Sequence, residues 1–425
     1  MKLSELKDKR ILILGFGKEG RDTFLFLRKL FPKKIIGIAD KNEKVASSAT
    51  RPRDKVKWHL GENYLKVLKN YDIIIKSPGV PPKVIAPFII KHQMVTSQTE
   101  IFFENCPGKI VGITGTKGKS TTTSLIYDIL RKGGIKAHLV GNIGKPVLNL
   151  LFSATKKDVY IYELSSHQLY NIKKSPKIAV FLNIYPEHLD YYRNFQEYFK
   201  AKQNITKYQT KEDYFIYNSE DKLVRKVAKK TKAKIIPIKG KYYELDRNAA
   251  IAVGKLFKIP QKIILKAIKE FKPLPHRLEL VGIFKGIKFY NDALSTIPET
   301  AIAALDALGN NVQTIMLGGF DRKIDFKNLA KRVLKSKVKN VILFPTTGEK
   351  IWQSIVKFGR GQTSAKLPRH FFTDNMPNAV KIAYENTQKG KICLLSTAST
   401  SFSIFRDYKE KGNLFKKFVK RYGKK

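Results

Sequence analysis

The sequence predicts an α/β protein of three domains. The first, over residues 1–107, is expected to be Rossmann-like. The second, over 108–272, is expected to be a parallel-sheet domain built on a P-loop, and the third, over 273–425, to be Rossmann-like again. Three observations predict this. Two apolar runs of β type, at 10–14 and 109–111, each pass straight into a glycine-rich turn and then into a segment with helical apolar spacing. Short apolar runs alternate with amphipathic helical segments along the rest of the chain, the pattern of βαβ units. A length of 425 residues with 43% hydrophobic content suits about three cores.

Composition narrows the function classes. The formal charge is +47, from 82 Lys+Arg against 35 Asp+Glu. Such a surface attracts polyanions. The lysines are nevertheless spread through every segment, and no nucleic-acid-binding motif accompanies them. The expected partners are small anionic substrates such as nucleotides, not a specific nucleic acid. Cys106 and Cys393 are too few for a disulfide framework and suit a reducing cytosol. The N-terminal residues carry no apolar signal region, and no apolar run approaches about 18 residues. A cytoplasmic protein without a membrane span is expected.

In the first domain the strand at 10–14 meets Gly15-Phe-Gly-Lys-Glu-Gly20, and a helix with Phe24, Leu27 and Leu30 on its apolar face follows. A second strand, at 34–38, runs on to Asp40, twenty positions past Gly20. This turn suits a nicotinamide dinucleotide or the diphosphate of another nucleotide, with Asp40 facing a ribose or base. The strand at 72–75 ends in Ser77-Pro-Gly-Val-Pro-Pro82, where Gly79 lets the backbone approach a ligand. An ordinary Pro/Gly turn reads the same way.

The central domain opens on Gly112-Ile-Thr-Gly-Thr-Lys-Gly-Lys-Ser-Thr-Thr-Thr123, between a strand and a helix. That geometry wraps backbone N–H groups around phosphate oxygens. It places Gly115, Thr116, Lys117, Gly118 and Thr121 around a nucleoside triphosphate, with Lys119 on its β- and γ-phosphates and the Ser120 hydroxyl on Mg²⁺. Ile113 stands where a strict P-loop carries glycine. Two further strands, at 158–162 and 177–183, end in polar clusters, Glu163-Leu-Ser-Ser-His-Gln168 and Ile184-Tyr-Pro-Glu-His-Leu-Asp190. Glu163 is placed to hold Mg²⁺, and His188 is expected to share its crevice. A helix at 195–205 carries Lys202, whose role spacing cannot argue, because a helical lysine is ordinarily solvated. A further helix is expected to open at Arg247.

Five motifs then carry a resemblance. Gly-x-Thr-Gly-Thr-x-Gly-Lys-Ser-Thr at 112–121, Gly-Asn-Ile-Gly-x-Pro at 141–146 and Glu-Leu-Ser-Ser-x-Gln-Leu at 163–169 come first. Asn-Ile-x-x-x-His-Leu-Asp at 183–190 and Ala-Lys-x-x-Ile at 201–205 follow in order. The chain resembles the Mur ligases over essentially its whole length, and within them the branch that joins glutamate to UDP-N-acetylmuramoyl-L-alanine. The resemblance implies an ATP-dependent amide-bond-forming ligase of peptidoglycan precursor synthesis, acting as a monomer. Its first domain would bind the UDP part at Phe16, Gly17, Asp40, Lys41 and Gly79. Asn142, Ser165, Gln168 and His188 would meet the rest of that substrate. Ser120, Glu163 and His188 would hold Mg²⁺. Lys202 matches the lysine this family carbamylates, which would give it a place at a second Mg²⁺. Asn248 would contact adenine.

In the third domain Lys272-Pro-Leu-Pro-His-Arg277 is a proline-stiffened linker, and the resemblance puts Arg277 on ATP phosphate and Asp292 near its ribose and metal shell. The last strand, at 391–395, runs into Ser396-Thr-Ala-Ser-Thr-Ser-Phe-Ser-Ile-Phe-Arg-Asp-Tyr408. There Ser401, Phe402 and Tyr408 would contact glutamate, with Arg322 on one carboxylate. The strands of this domain are expected to form another parallel sheet. The family pattern is broken at Leu245, Leu294 and Thr397, where it carries asparagine, lysine and proline. The last two lie around the amino-acid pocket, so L-glutamate stays beside the default D-glutamate. Folate polyglutamate synthetases share the ATPase pattern but lack this first domain.

Overall fold

Residues 11–14, Ile-Leu-Ile-Leu, are all buried, and they nucleate the first of three sheets in the computed structural model. The structure describes residues 1–45, 55–144, 147–188, 191–240, 242–272, 274–360 and 367–424. Of the motif residues above, Lys145, Pro146, Leu189, Asp190 and Pro273 lie outside the described residues. The chain divides into two compact units, Met1–Phe271 and Lys272–Lys425.

The first unit contains two all-parallel sheets. One has the order β3-β2-β1-β4-β5, from β1 (Ile11–Leu14), β2 (Ile36–Asp40), β3 (Val56–Leu60), β4 (Ile73–Lys76) and β5 (Met94–Thr96). Its strand order reverses between β1 and β4, and both strands end there in turns, Gly15–Gly17 and Ser77–Val80. Crevices at such a reversal are where open α/β sheets bind ligands. The second sheet has the order β11-β10-β9-β6-β8-β7, from β6 (Lys109–Thr114), β7 (Ala137–Gly141), β8 (Val159–Glu163), β9 (Ile178–Phe181), β10 (Tyr214–Asn218) and β11 (Lys234–Ile238). Here the reversal is at β6, so the carboxyl ends of β6, β8 and β9 share one crevice.

The helix Gln98–Asn105 links the two sheets and explains why they form one unit. Its Phe102 and Phe103 are almost fully buried and pack against Tyr160 and Tyr162 of β8. Each buried ring contributes about 1.5–3 kcal/mol. Thr99 Oγ1 and the Tyr162 hydroxyl, 3.2 Å apart, satisfy each other in this apolar layer.

The second unit holds a sheet of order β12-β13-β17-β14-β15-β16, from β12 (Glu279–Phe284), β13 (Ile287–Asn291), β14 (Val312–Gly318), β15 (Asn340–Phe344), β16 (Arg369–Phe372) and β17 (Ile392–Leu395). The expectation of a purely parallel sheet is corrected, because β12 pairs antiparallel to β13. The cause is local. The two-residue turn Lys285-Gly286 has positive φ at both positions, 50° and 79°, and such turns match the strand twist of a hairpin. A second correction concerns the helix expected to open at Arg247. It runs Tyr243–Leu256, one turn earlier, and Leu245 lies in the core beneath it. Cys106 and Cys393 are both free. Among the described residues, no helix is long and apolar enough to cross a membrane.

Candidate active site

The β6 strand delivers the chain at Thr114 into the loop Gly115–Gly118, and the helix Lys119–Lys132 starts at once. Gly118 has φ +85°, and a Cβ there would collide with the Asp246 carboxylate, which also accepts from Thr122 Oγ1 at 2.9 Å. Only glycine fits that corner. The end of β9 braces the loop. Asn183 Oδ1 accepts from Lys117 N at 2.8 Å, Asn183 Nδ2 donates to Lys117 O at 3.1 Å, and Thr116 N donates to Asn183 O at 2.9 Å. Thr116 Oγ1 lies 3.0 Å from the Tyr198 hydroxyl. Lys119 Nζ sits inside the loop, donating to the carbonyls of Gly115 and Thr116 at 3.0 Å each.

Glu163, the last residue of β8, is 1% exposed. Its Oε1 accepts from Asn142 Nδ2 at 3.1 Å, and its Oε2 is buried with no hydrogen-bond partner. A buried carboxylate oxygen left in this state is costly. A hard divalent cation would satisfy it, and with the Ser120 hydroxyl at the helix N-terminus the donor set suits Mg²⁺. Among the described residues no three His, Cys, Asp or Glu side chains gather into a metal cage. Mg²⁺ is commonly held by only one or two carboxylates together with substrate phosphates. Next to this crevice, Glu187 pairs with Lys117 Nζ at 2.9 Å. Burial opposes its ionisation, but Lys117, His188 and Lys119 together hold its carboxyl down to about 2.

Lys202 corrects the expectation of a solvated helical lysine. Its side chain is 1% exposed beneath the phosphate loop, where Nζ donates to Gly115 O at 2.8 Å and lies 3.4 Å from Thr114 Oγ1. Burial, and then the charge of Lys119, lower its pKa well below that of an ordinary lysine. The helix Phe195–Lys207 turns this face inward because Tyr198, Phe199, Ala201 and Ile205 all pack on the sheet.

Around the first sheet's reversal, Asp40 does not point outward to a ligand alone. Its Oδ2 accepts from Phe16 N at 2.6 Å and so shapes the glycine turn. The Phe16 ring is buried against Phe24 and Trp58, so only its backbone is available to a ligand. Gly17 caps the helix Lys18–Leu30, and Lys41 is exposed at the end of β2. A Cβ on Gly79 would meet nothing within 4 Å. Ser165 and Gln168 form a capping box, and Gln168 Nε2 also donates to Glu19 at 2.8 Å. Gln168 is thus occupied at both ends within the protein.

In the second unit the carboxyl ends of β13 and β17 bring Asp292 and Ser396 together. Ser396 Oγ donates to Asp292 Oδ2 at 2.7 Å, and Leu278 N donates to Oδ1 at 3.2 Å. Lys411, 1% exposed, donates to Thr397 Oγ1 at 2.6 Å. Burial pushes Asp292 up to about 6 and Lys411 down to about 7, while their mutual attraction resists both shifts. The hydroxyl oxygens of Thr400, Ser401 and Ser403 are buried without partners. Phe402 is 60% exposed, Tyr408 stands edge-on to His276 at 5.9 Å, and Arg322 is half-buried in the loop after β14.

Residues 113–284 match the Mur ligase middle domain. The chain is 32% identical to UDP-N-acetylmuramoylalanine–D-glutamate ligase of Acetivibrio thermocellus, over 98% of this chain and 97% of that protein. It is 31% identical to the enzyme of the same name from Clostridium tetani, over 97% of each. The chain belongs to the Mur ligase family. Among solved structures it shares the fold of a MurF ligase from Thermotoga maritima in complex with ADP, with a TM-score of 0.60, 17% identity and coverage of 99% and 98% of the two chains. Mur ligases are ATP-dependent and form amide bonds, and this one is such an enzyme.

Within this Mur ligase, the structure gathers Gly115, Thr116, Lys117, Gly118, Lys119, Ser120 and Thr121 into one loop with Lys202 beneath it. Glu163, Asn142 and His188 stand at neighbouring strand ends. Asn248 is on the helix Tyr243–Leu256, where its Nδ2 donates to Lys239 O at 2.8 Å. Arg277 and Asp292 belong to the second unit. Asn183, Glu187, Thr400, Ser403 and Lys411 stand beside the candidate residues and were not singled out by sequence reasoning. For Thr400 and Ser403 the hydroxyl-rich run at 396–403 was a usable signal. For Lys411 there was none, because one lysine among so many looks solvated.

His167 behaves as an aromatic spacer. It stacks on Tyr192 and stands edge-on to Tyr191 and His188, at 4.2 and 4.8 Å. Burial, reinforced by the charges of His188, Lys202 and Lys76, lowers its pKa to about 3. The unfolded chain protonates this ring near 6.5, as for an ordinary histidine, whereas the folded chain does not until about pH 3. Stability from this site is therefore complete above pH 6.5 and is lost as pH falls through that window. His167→Phe should flatten the acid-side slope of unfolding free energy, by about 1 kcal/mol per pH unit between pH 6 and 4. Urea melts at stepped pH check it, and an unchanged slope would refute the neutral-ring assignment.

Proposed function

We propose that the enzyme joins D-glutamate to UDP-N-acetylmuramoyl-L-alanine, with conversion of ATP to ADP and phosphate, in the cytoplasm and as a monomer. The observation that carries this is the full-length likeness to ligases named for D-glutamate. The site chemistry supports it. The Gly15–Gly17 and Gly79 turns, with Asp40 and Lys41, hold the UDP part, while Asn142 and His188 meet its muramoyl-alanine end. Gly115–Thr121 wraps the ATP phosphates, and Asn248 contacts adenine.

The alanine carboxylate attacks the γ-phosphorus, and Lys119 spreads the charge of the transferring phosphoryl group. Ser120, Glu163 and His188 would hold Mg²⁺, which when bound would supply Lewis-acid charge stabilisation there. Lys202, as its carbamate, would offer a further anionic ligand. ADP departs, and the resulting acyl phosphate is an activated acyl group that releases inorganic phosphate when its carbonyl is attacked. The deprotonated amine of glutamate attacks it, and a tetrahedral intermediate collapses to the amide. Arg322 faces one glutamate carboxylate, and Ser401, Phe402 and Tyr408 complete that pocket, where the buried unpartnered hydroxyl of Ser401 suits an anion.

The purified enzyme with ATP, UDP-N-acetylmuramoyl-L-alanine and each glutamate enantiomer tests this by product mass. The dipeptide product with stoichiometric ADP should appear with D-glutamate. Product with L-glutamate alone would move the assignment to the other enantiomer, and no product with either would overturn it.

A further inference from the structure

The two turns at the first sheet's reversal are joined to each other and to His188 by one unbroken hydrogen-bonded chain. Ser77 Oγ donates to Gly15 O at 2.7 Å, bolting the Ser77–Val80 turn to the glycine turn. Buried Lys76 donates to Val80 O at 2.8 Å and Ser77 O at 3.2 Å. The Tyr191 hydroxyl approaches the same turn, 3.0 Å from Pro78 O and 3.1 Å from Val80 O. Three carbonyls of one turn are thus engaged by two side chains, and Tyr191 is not part of the first sheet. It follows β9.

At its other end Tyr191 N donates to His188 O at 3.0 Å, as does Tyr192 N. His188 has φ +58°, a left-handed conformation that a histidine keeps only where its surroundings hold it. The Tyr191 ring also touches His167, which stands against the His188 ring. Backbone and ring of His188 are therefore both set by Tyr191 and its neighbours.

A single phenolic hydrogen cannot serve two carbonyls at full strength, so the Pro78 and Val80 oxygens compete for it. They are not equivalent. Pro78 C=O shares its peptide unit with the Gly79 N–H, whereas Val80 C=O precedes Pro81, which has no N–H. A phosphate accepting from Gly79 N–H polarises the Pro78 carbonyl and strengthens its claim on the Tyr191 hydroxyl.

We propose that Tyr191 is a positioning residue that couples occupancy of the Ser77–Val80 turn by a nucleoside diphosphate to the orientation of His188. Binding the nucleotide end of the substrate then prepares the end where acyl phosphate forms. The inference rests on the reading that these turns hold the UDP part.

Tyr191→Phe keeps the ring and removes the clasp. The probe is UDP alone, measured by calorimetry and by the rate at which diethylpyrocarbonate modifies His188, read peptide by peptide in a mass spectrometer. In the unaltered enzyme UDP should change the His188 rate severalfold. In Tyr191→Phe, UDP should bind within about threefold of normal while that change disappears. Turnover should fall by about tenfold with KM for the nucleotide-sugar little altered, since a small misplacement of a reacting group costs rate before affinity. The same UDP response of His188 in both proteins, with UDP bound normally, overturns the coupling alone. No UDP binding to the unaltered enzyme overturns the underlying reading of the turns.

Discussion

Lys119→Ala should abolish ADP release even with every substrate present, with turnover down by about three orders of magnitude. The Lys119 ammonium group sits inside the phosphate loop, donating to Gly115 O and Thr116 O. The charge that develops on a transferring phosphoryl group has to be met by fixed donors, and backbone N–H groups alone leave the γ-phosphate under-compensated. The loop itself should survive the change. Its shape is set by Asn183, by Gly118 against Asp246 and by Thr116 on Tyr198, none of which involves the Lys119 side chain. Thermal unfolding should therefore move little, which separates a lost catalytic charge from a misfolded loop. Normal ADP release from a folded Lys119→Ala enzyme would refute the phosphate role.

Lys202→Ala should be almost inactive as well, and partly restored by formate or acetate. A lysine amine is a nucleophile toward CO₂ only when unprotonated, and both burial and the Lys119 charge favour that form here. Carbamylation replaces a disfavoured cation by an anion flanked by Lys119 and Lys117. Truncation would remove the proposed carbamate and leave a space in which a small carboxylate can stand. The expected loss is about two to three orders of magnitude, comparable to removing one fixed electrostatic contact. The rescue is measured as a saturable rise in turnover with carboxylate concentration. Full activity in Lys202→Ala would end the carbamate proposal, and loss without rescue would leave Lys202 with a role as a cation.

How legible the site was depended on sequence distance. The phosphate loop could be read because strand, glycines, Lys119, Ser120 and helix follow one another within a dozen positions, and their geometry is local. Glu163 could be read because a carboxylate at a strand's end has a fixed direction. Lys202 could not. Its burial is created by Thr114 and Gly115, almost ninety positions earlier in the chain, and helical periodicity says nothing about which neighbour a helix will meet. Tyr191 was hidden for the same reason, since its partners lie more than a hundred positions away. The antiparallel β12–β13 pair was legible in principle, through Lys285-Gly286 between two short strands. Edge strands such as Arg369–Phe372 were not, because their half-exposed residues carry no clear alternation.

Among the described residues Lys76, Lys202 and Lys411 are the lysines buried most deeply, beside the Ser77–Val80 turn, the phosphate loop and Thr397 respectively. Burying each of these amines disfavours its charged form, and hydrogen bonds to neighbouring carbonyls and hydroxyls offset only part of that cost. The architecture is thus held below its attainable thermal limit at the places where it works. Methionine, which matches lysine's stem without its charge, removes the buried amine, but at Lys411 it also strips Asp292 of its compensating charge and at Lys76 it leaves the Ser77 carbonyl and the Val80 carbonyl with one donor fewer. These three side chains are therefore where a trade between heat tolerance and turnover is expected to be sharpest.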